Sequence, residues 1–364
     1  MKRLHFDALA PVCPACRTAS GAAPLRVAAI ERAHGEGGAW TDLLEGMLEC
    51  SNAACVREYP VIDGVPLLVA DLSGLLRTGP LAFLMREDLS PRVLSALVDG
   101  AGPDSELERV LRFLSHYAAD HYGDLDPAPC PGTPVSSPIA GLVHAALDAV
   151  GPGMAAADGA QLRVADLGCG VGRGSFALAA RTGGLVVGVD LNLSMLQLAS
   201  RALRRGMARY PVRRVGMAYT WREHPVPLAG AARVDFWMAD AHDLPFADQR
   251  FDLVTSLNLI DCLGDPARHL AELDRLLVTD GRLALATPYD WSANATAAGG
   301  WIGGHSQRAA DGGAAEPRAR ALFGGPHMPR VRLSAEVHGL PWQLRVHDRS
   351  TMHYQTHLLV GVAG

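Results

Sequence analysis

Glycine recurs at every second position in Asp166-Leu167-Gly168-Cys169-Gly170-Val171-Gly172. The apolar pair Val164-Ala165 precedes this run, and Ser175-Phe176-Ala177-Leu178 follows it. Such a stretch reads as a strand, a tight loop and a helix start. Glycine takes φ > 0 freely and lets a ligand approach the backbone. The helix start adds unpaired N–H groups that suit a polar ligand. The spacing is D-x-G-x-G-x-G, which is not the dinucleotide fingerprint G-x-G-x-x-G. The last glycine of that fingerprint falls on Arg173 or on Ser175, depending on the start. No Gly-Lys-Ser/Thr follows, so the loop is not a P-loop. Asp190 ends the apolar run Leu185-Val186-Val187-Gly188-Val189, close to the ~20-residue spacing of a ribose-binding acid in a βαβ unit. The bland alternatives are a glycine-rich turn with no ligand and acids that cap helices.

A second constellation lies near the start of the chain. Cys13-Pro14-Ala15-Cys16 and Cys50-Ser51-Asn52-Ala53-Ala54-Cys55 both fit the C-x₂₋₄-C range of a structural zinc site. Four of the seven cysteines fall in this segment. With no signal peptide in view, that clustering points to metal before disulfides. Four thiol ligands leave no open position, so zinc here folds the chain and performs no catalysis. The alternative is four free cysteines in a small β-domain.

These groups need elements to hold them. Val234–Met238 reads as a third strand ending at Asp240-Ala241, and Phe251–Asn258 as a fourth. Asp265-Pro266 opens a helix, with proline in its first turn. Arg282–Ala286 is a fifth strand, followed by Thr287-Pro288-Tyr289-Asp290-Trp291. Val331-Arg332-Leu333 and Met352–Val362 read as a closing antiparallel pair. Upstream, Arg57–Val69 reads as a hairpin with an Asp63-Gly64 turn. Three short helices are expected over 73–125, around 81–85, 93–98 and 107–114. A proline-rich linker and a helix over Ile139–Val150 follow. A helix from Ser194 is expected to continue through Arg201–Arg214, with six arginines, before an irregular 215–232. Those arginines suit a solvated face, RNA phosphates or a substrate carboxylate.

The ordered motifs D-L-G-C-G-V-G, V-V-G-V-D, A-D-A-H-D-L-P-F and F-D-L-V-T-S resemble those of the class I S-adenosylmethionine (SAM) dependent methyltransferases, over about residues 160–290. The resemblance implies an α/β, Rossmann-like, seven-stranded doubly wound sheet. It implies SAM against Asp166, Gly168, Cys169, Gly170, Asp190, Leu191, Asp240, Ala241 and Asn258, with Asp190 on the ribose hydroxyls and Asp240 on the adenine amine. Tyr117 and Tyr122 precede the glycine loop, where such enzymes cover the SAM pocket. Cys13, Cys16, Cys50 and Cys55 with their hairpin resemble the zinc-ribbon domain that occurs as an activator of RNA and protein methyltransferases. The stretches 256–261, 287–291 and 301–304 are similar to 4-mercaptohistidine-type imidazole N-methyltransferases. The expected domains are therefore a zinc ribbon at 1–72, a helical connector at 73–150 and a methyltransferase domain at 151–364.

Ligands of open α/β sheets bind beyond the carboxyl ends of the strands. Asp261, Tyr289, Trp291 and Trp301 are expected there, with 287–305 as substrate wall and 299–330 as a lid. Asp261, His305 and Tyr289 are the expected groups for the acceptor's proton or for orienting an imidazole. The net charge of −5 and near absence of lysine give no global footprint for nucleic acid. There is no apolar run of 18 residues and no apolar stretch after Met1-Lys2-Arg3, so a cytoplasmic chain is expected. A small-molecule or peptide acceptor is favoured. An rRNA or tRNA base methyltransferase and a non-catalytic SAM-binding subunit are the rivals.

Overall fold

A computed structural model describes residues 1–17, 23–36, 39–55, 57–71, 102–152 and 161–364. The helices expected around 81–85 and 93–98 lie outside the described residues. The N-terminal part holds α1 (Arg3–Leu9), β1 (Leu25–Glu36), β2 (Ala39–Cys50), β3 (Glu58–Ile62) and β4 (Val65–Leu68). β3 and β4 form the expected hairpin. Asp63 and Gly64 take φ of 50° and 77°, the left-handed pair that a two-residue type I′ turn requires.

Two helices follow, α2 (Glu106–Tyr122) and α3 (Pro138–Val150). Ser105 and Ser137 cap them by accepting from Glu108 N and Ala140 N. The remaining order is β5 (Arg163–Leu167), α4 (Arg173–Thr182), β6 (Leu185–Asp190), α5 (Leu193–Arg205), β7 (Met207–Val215), β8 (Ala218–Pro225), β9 (Val234–Ala239) and β10 (Phe251–Leu257). Then come α6 (Pro266–Leu276), β11 (Leu277–Thr287), α7 (Glu316–Leu322), β12 (Val331–His347) and β13 (Ser350–Ala363).

Seven strands run in the order β9-β6-β5-β10-β11-β13-β12, with β13 antiparallel to both neighbours. This is the Rossmann-like α/β sheet. Its parallel strands are covered on both faces, which explains their unbroken apolar runs. Alternate residues feed two cores. Ala165, Leu167 and Val187 pack with Leu270 and Leu273 of α6. Val164 and Val186 pack with Leu142 of α3 and Phe176 of α4.

The N-terminal strands extend the same sheet. β4 pairs in parallel with β9, Leu67 opposite Met238 and Leu68 opposite Ala239, giving a sheet of eleven strands among the described residues. Ion pairs reinforce the joint. The Arg204 guanidinium reaches both carboxylate oxygens of Asp42 at 2.9 and 2.8 Å.

The arginine-rich stretch departs from expectation. The helix from 193 ends at Arg205, where Gly206 takes φ 64° as its cap. Residues 207–215 and 218–225 are not helix and coil but the antiparallel ribbon β7–β8. Apolar residues alternate along Ala208-Arg209-Tyr210, and Tyr210 and Val212 are buried. Period 2 prevails there over the helical reading.

Candidate functional site

A cavity of about 960 Å³ opens at the carboxyl ends of β5, β6 and β10, within the ~300–1,000 Å³ span of small-molecule sites. The glycine loop forms its floor. Gly168, Gly170 and Gly172 all take positive φ, at 72°, 55° and 91°. A Cβ on Gly172 would stand 2.5 Å from Phe236, so the loop needs glycine for space as well as for backbone angle. Gly168 N and Cys169 N donate to Val189 O at 2.8 and 3.0 Å, which fixes the loop over the end of β6.

Asp190 sits where that strand ends. Its Oδ2 accepts from Gly170 N at 2.9 Å and its Oδ1 from Asn192 N at 2.8 Å. Each oxygen keeps lone-pair capacity toward the cavity. Burial holds this carboxyl above its ordinary pKa, against the pull of those backbone donors. Asp166, near the end of β5, also lines the cavity. It accepts from Ser175 Oγ at 2.7 Å and from Thr255 Oγ1 at 2.9 Å, tying the loop to α4 and β10. Burial pushes its carboxyl up to about 6.

Asn258 follows β10 with φ 54°. Its side-chain oxygen and nitrogen are buried without partners, and the residue lines the cavity. An amide left so is costly, on the order of 1–3 kcal/mol per buried polar group, unless a ligand completes it. Leu191, Gly168, Cys169 and Gly170 line the same space. Asp240 and Ala241 lie outside the lining. The Asp240 Oδ1 accepts from His242 N at 2.9 Å and pairs with His242 Nδ1 at 2.6 Å.

Helix α2 supplies the opposite wall. Tyr117 lines the cavity, with Phe113 stacked on it at 6.5 Å. Tyr122 does not line it. The Tyr122 side chain is buried and its hydroxyl donates to Val171 O at 2.6 Å. Asp120 and His121, lining residues not singled out from the sequence, join Tyr117 on the wall. Asp120 accepts from Ile139 N at 3.2 Å and from Trp342 Nε1 at 2.8 Å, and burial pushes its carboxyl up to about 7. His121 Nδ1 accepts from Arg173 N at 3.0 Å, so the imidazole caps α4 and, when neutral, carries its proton on Nε2. Burial first, and then Arg173, push its pKa down to about 3. The dense aromatic and imidazole run at 115–124 was the sequence signal for this wall. Which of its members faced the ligand depended on the pose of α2.

The expected proton-handling groups are not gathered at the cavity. Asp261 is buried beside it, and its Oδ2 accepts from Asp290 N at 2.9 Å. Its Oδ1 has no partner, and burial raises its pKa. The cap of α6 is Asp265, not Asp261. His305 is an exposed loop residue. Tyr289, at φ 58°, bonds His357 Nδ1 at 2.6 Å. Trp291 and Trp301 stack on each other at 6.3 Å, outside the cavity lining. From the expected substrate wall, Ser292, Asn294 and Ala295 reach the cavity mouth. Residues 299–330 do not line the cavity: Ile302, Ala319 and Met328 are buried in the core with Leu270 and Leu273 of α6, and Arg330 N donates to Asp274 Oδ1 at 2.8 Å.

The four expected thiols do converge. The sulfurs of Cys13, Cys16, Cys50 and Cys55 all lie within 4.8 Å of one another. Two of the edges measure 3.9 Å (Cys13–Cys55) and 3.8 Å (Cys50–Cys16).

Residues 165–285 match the family model described as "Methyltransferase domain". This part of the chain is similar to methyltransferase domains. Among curated relatives, the methyltransferase GfsG of Streptomyces halstedii is 32% identical over 34% of this chain and 37% of its own length. The demethylmenaquinone methyltransferase of Clavibacter sepedonicus is 35% identical over 34% of this chain and 40% of its own. The chain thus spans about two-fifths of the relatives it matches. Of the solved structures, the YcgJ protein of Bacillus subtilis is 16% identical, covers 60% of this chain and 98% of its own, and has a TM-score of 0.39. Phosphoethanolamine N-methyltransferase 2 of Haemonchus contortus, solved with SAM, is 17% identical, covers 75% and 46%, and scores 0.36. Among the described residues no helix is long and apolar enough to cross a membrane.

Proposed function

We propose that the chain transfers a methyl group from SAM to a small molecule. The observation that carries this reading is the amide of Asn258, buried without partners beside an Asp190 carboxylate that keeps free acceptor capacity. A nucleoside with vicinal hydroxyls and a polar amino-acid tail complements that pair and the glycine floor. SAM would supply an electrophilic methyl on its sulfonium. The protein's own part is to hold the acceptor in line and to exclude water. Leu191, Met195 and Met238 give the cofactor's rings apolar contact, and Phe113, Tyr117, Leu259 and Ala295 line the space left for an acceptor.

Within that class, a histidine-like imidazole is the acceptor that the sequence resemblance implies. Ser292 and Asn294 at the mouth could hydrogen-bond its ring nitrogens. The relatives' printed names also put demethylmenaquinone and tocopherol in the test set. The nucleic-acid reading is less well supported. Arg204, Arg209 and Arg214 are paired with carboxylates, Arg213 donates to Gly216 O, and Arg201 and Arg205 also have partners within the chain. A methyl-transfer assay with labelled SAM, run on imidazoles, demethylmenaquinone, tocopherol and bulk RNA, tests this. Small-molecule turnover is expected. Transfer to RNA alone, or SAM binding with no transfer at all, would overturn it.

We further propose a structural zinc at the four cysteines, as in a zinc ribbon over residues 1–72. Tetrahedral Zn–S bonds of ~2.3 Å imply sulfur–sulfur edges of ~3.8 Å, as the two measured edges have.

A further inference from the structure

A second group of potential metal ligands lies far from the cysteines, on the β12–β13 ribbon. Glu336, His338 and His357 bring three ligand atoms within 4.8 Å of one another. His357 Nε2 stands 2.8 Å from Glu336 Oε1, and His338 Nε2 stands 3.0 Å from the same oxygen. The two imidazoles stack at 4.3 Å with 11° between their planes. Arg320 Nε also donates to both Glu336 oxygens, at 2.9 and 2.8 Å. Three donors therefore crowd one carboxylate oxygen that has two lone pairs.

The backbone builds this convergence. The ladder between β12 and β13 runs in register from Ala335↔Val360 to Val337↔Leu358 and resumes at Leu340↔Thr356. His338 and Gly339 form the bulge between, with Gly339 at φ 69°. Alternation along β12 already puts Glu336 and His338 on one face, and the pairing Glu336↔Leu359 puts His357 on the same face, so the bulge interrupts the ladder beside the three side chains.

We infer that Glu336, His338 and His357 form a second metal site, for a borderline divalent cation of the Zn²⁺ class. Two imidazole nitrogens and a carboxylate oxygen are a ligand set that zinc accepts, with water completing the coordination. A cation between them replaces the two imidazole protons that now compete for Oε1, and Arg320 keeps Oε2. With Nε2 on the metal, the His357 proton moves to Nδ1, where Tyr289 Oη stands 2.6 Å away to accept it. An outer partner of that kind fixes ligand orientation in metal sites. His357 is nearly buried, while His338 is half-exposed and gives the cation access from solvent.

The test counts metal on the full chain, purified without an added histidine tag and equilibrated with zinc. Elemental analysis of wild type and of the His338→Ala variant should differ by one zinc per chain. His338 is half-exposed, so its removal leaves the ribbon folded, and Glu336→Gln serves as a second variant with the same expected loss. Cobalt(II) substitution separates the two sites, because the thiolate site alone gives a sulfur-to-metal charge-transfer band. Loss of one equivalent in both variants with that band intact supports the site. Equal metal counts in wild type and variants overturn it, whatever the occupancy of the cysteines.

Discussion

Single residues set the chemistry, and their environments fix the sign of what substitution does. Asn258 combines a left-handed backbone with a buried, unpartnered amide. Glycine at this position removes both costs. Asn258→Gly is expected to stabilise the ligand-free chain by ~1 kcal/mol and to weaken SAM by a similar amount, since the amide is then missing from the complex. Thermal unfolding with and without SAM measures both. Asp120 gives a pH signature. Burial raises its carboxyl from 3.8 to about 7, so the folded chain holds a proton that the unfolded chain has released. That stabilisation is full below the unfolded value and is lost as pH rises through about 7. At ~1.4 kcal/mol per pH unit the effect is bounded at ~4 kcal/mol. Asp120→Asn should flatten the decline in unfolding free energy between pH 5 and 8. An unchanged decline would mean that Asp120 is not its source.

At the scale of elements, the sheet was legible because burial on two faces leaves unbroken apolar runs. Val164–Leu167 and Leu185–Val189 are such runs, and the Asp63-Gly64 turn has one plausible hairpin geometry. The β7–β8 ribbon was not legible as strand, because its arginines continue the charge pattern of the preceding helix. Gly206 was the available stop signal. The pairing of β4 with β9, the placement of Asp120 and His121, and the bond from Trp342 all join residues far apart in sequence, and local patterns carry no trace of them. The loop before α4 has little tolerance for a side chain at Gly172. Gly172 has φ 91° and no space for a Cβ. Left-handed strain of ~1–2 kcal/mol and overpacking of ~1–3 kcal/mol should together make Gly172→Ala cost roughly 2–5 kcal/mol in a denaturant titration. A cost under 1 kcal/mol would show that the loop can relax.

At the scale of the molecule, one sheet runs from the proposed zinc site to the β12–β13 edge. Because β4 is hydrogen-bonded to β9, loss of the proposed zinc should reach the strands beside the cavity. Replacing Cys16 and Cys55 by serine is expected to remove one zinc equivalent per chain, together with the thiolate charge-transfer band of the cobalt form, and to raise hydrogen exchange in residues 234–239. Protection there unchanged from wild type would mean that the N-terminal strands hold without metal. The central claim, a SAM-dependent transfer built on Asp190 and the glycine floor, is tested most directly by calorimetric titration of the full chain with SAM, beside the Asp190→Ala variant. One equivalent of SAM per wild-type chain is expected. Affinity should fall in the variant by ~1–3 kcal/mol, the scale for losing a charged hydrogen-bond partner. No saturable heat with wild type, or equal affinity in the two proteins, would contradict the account.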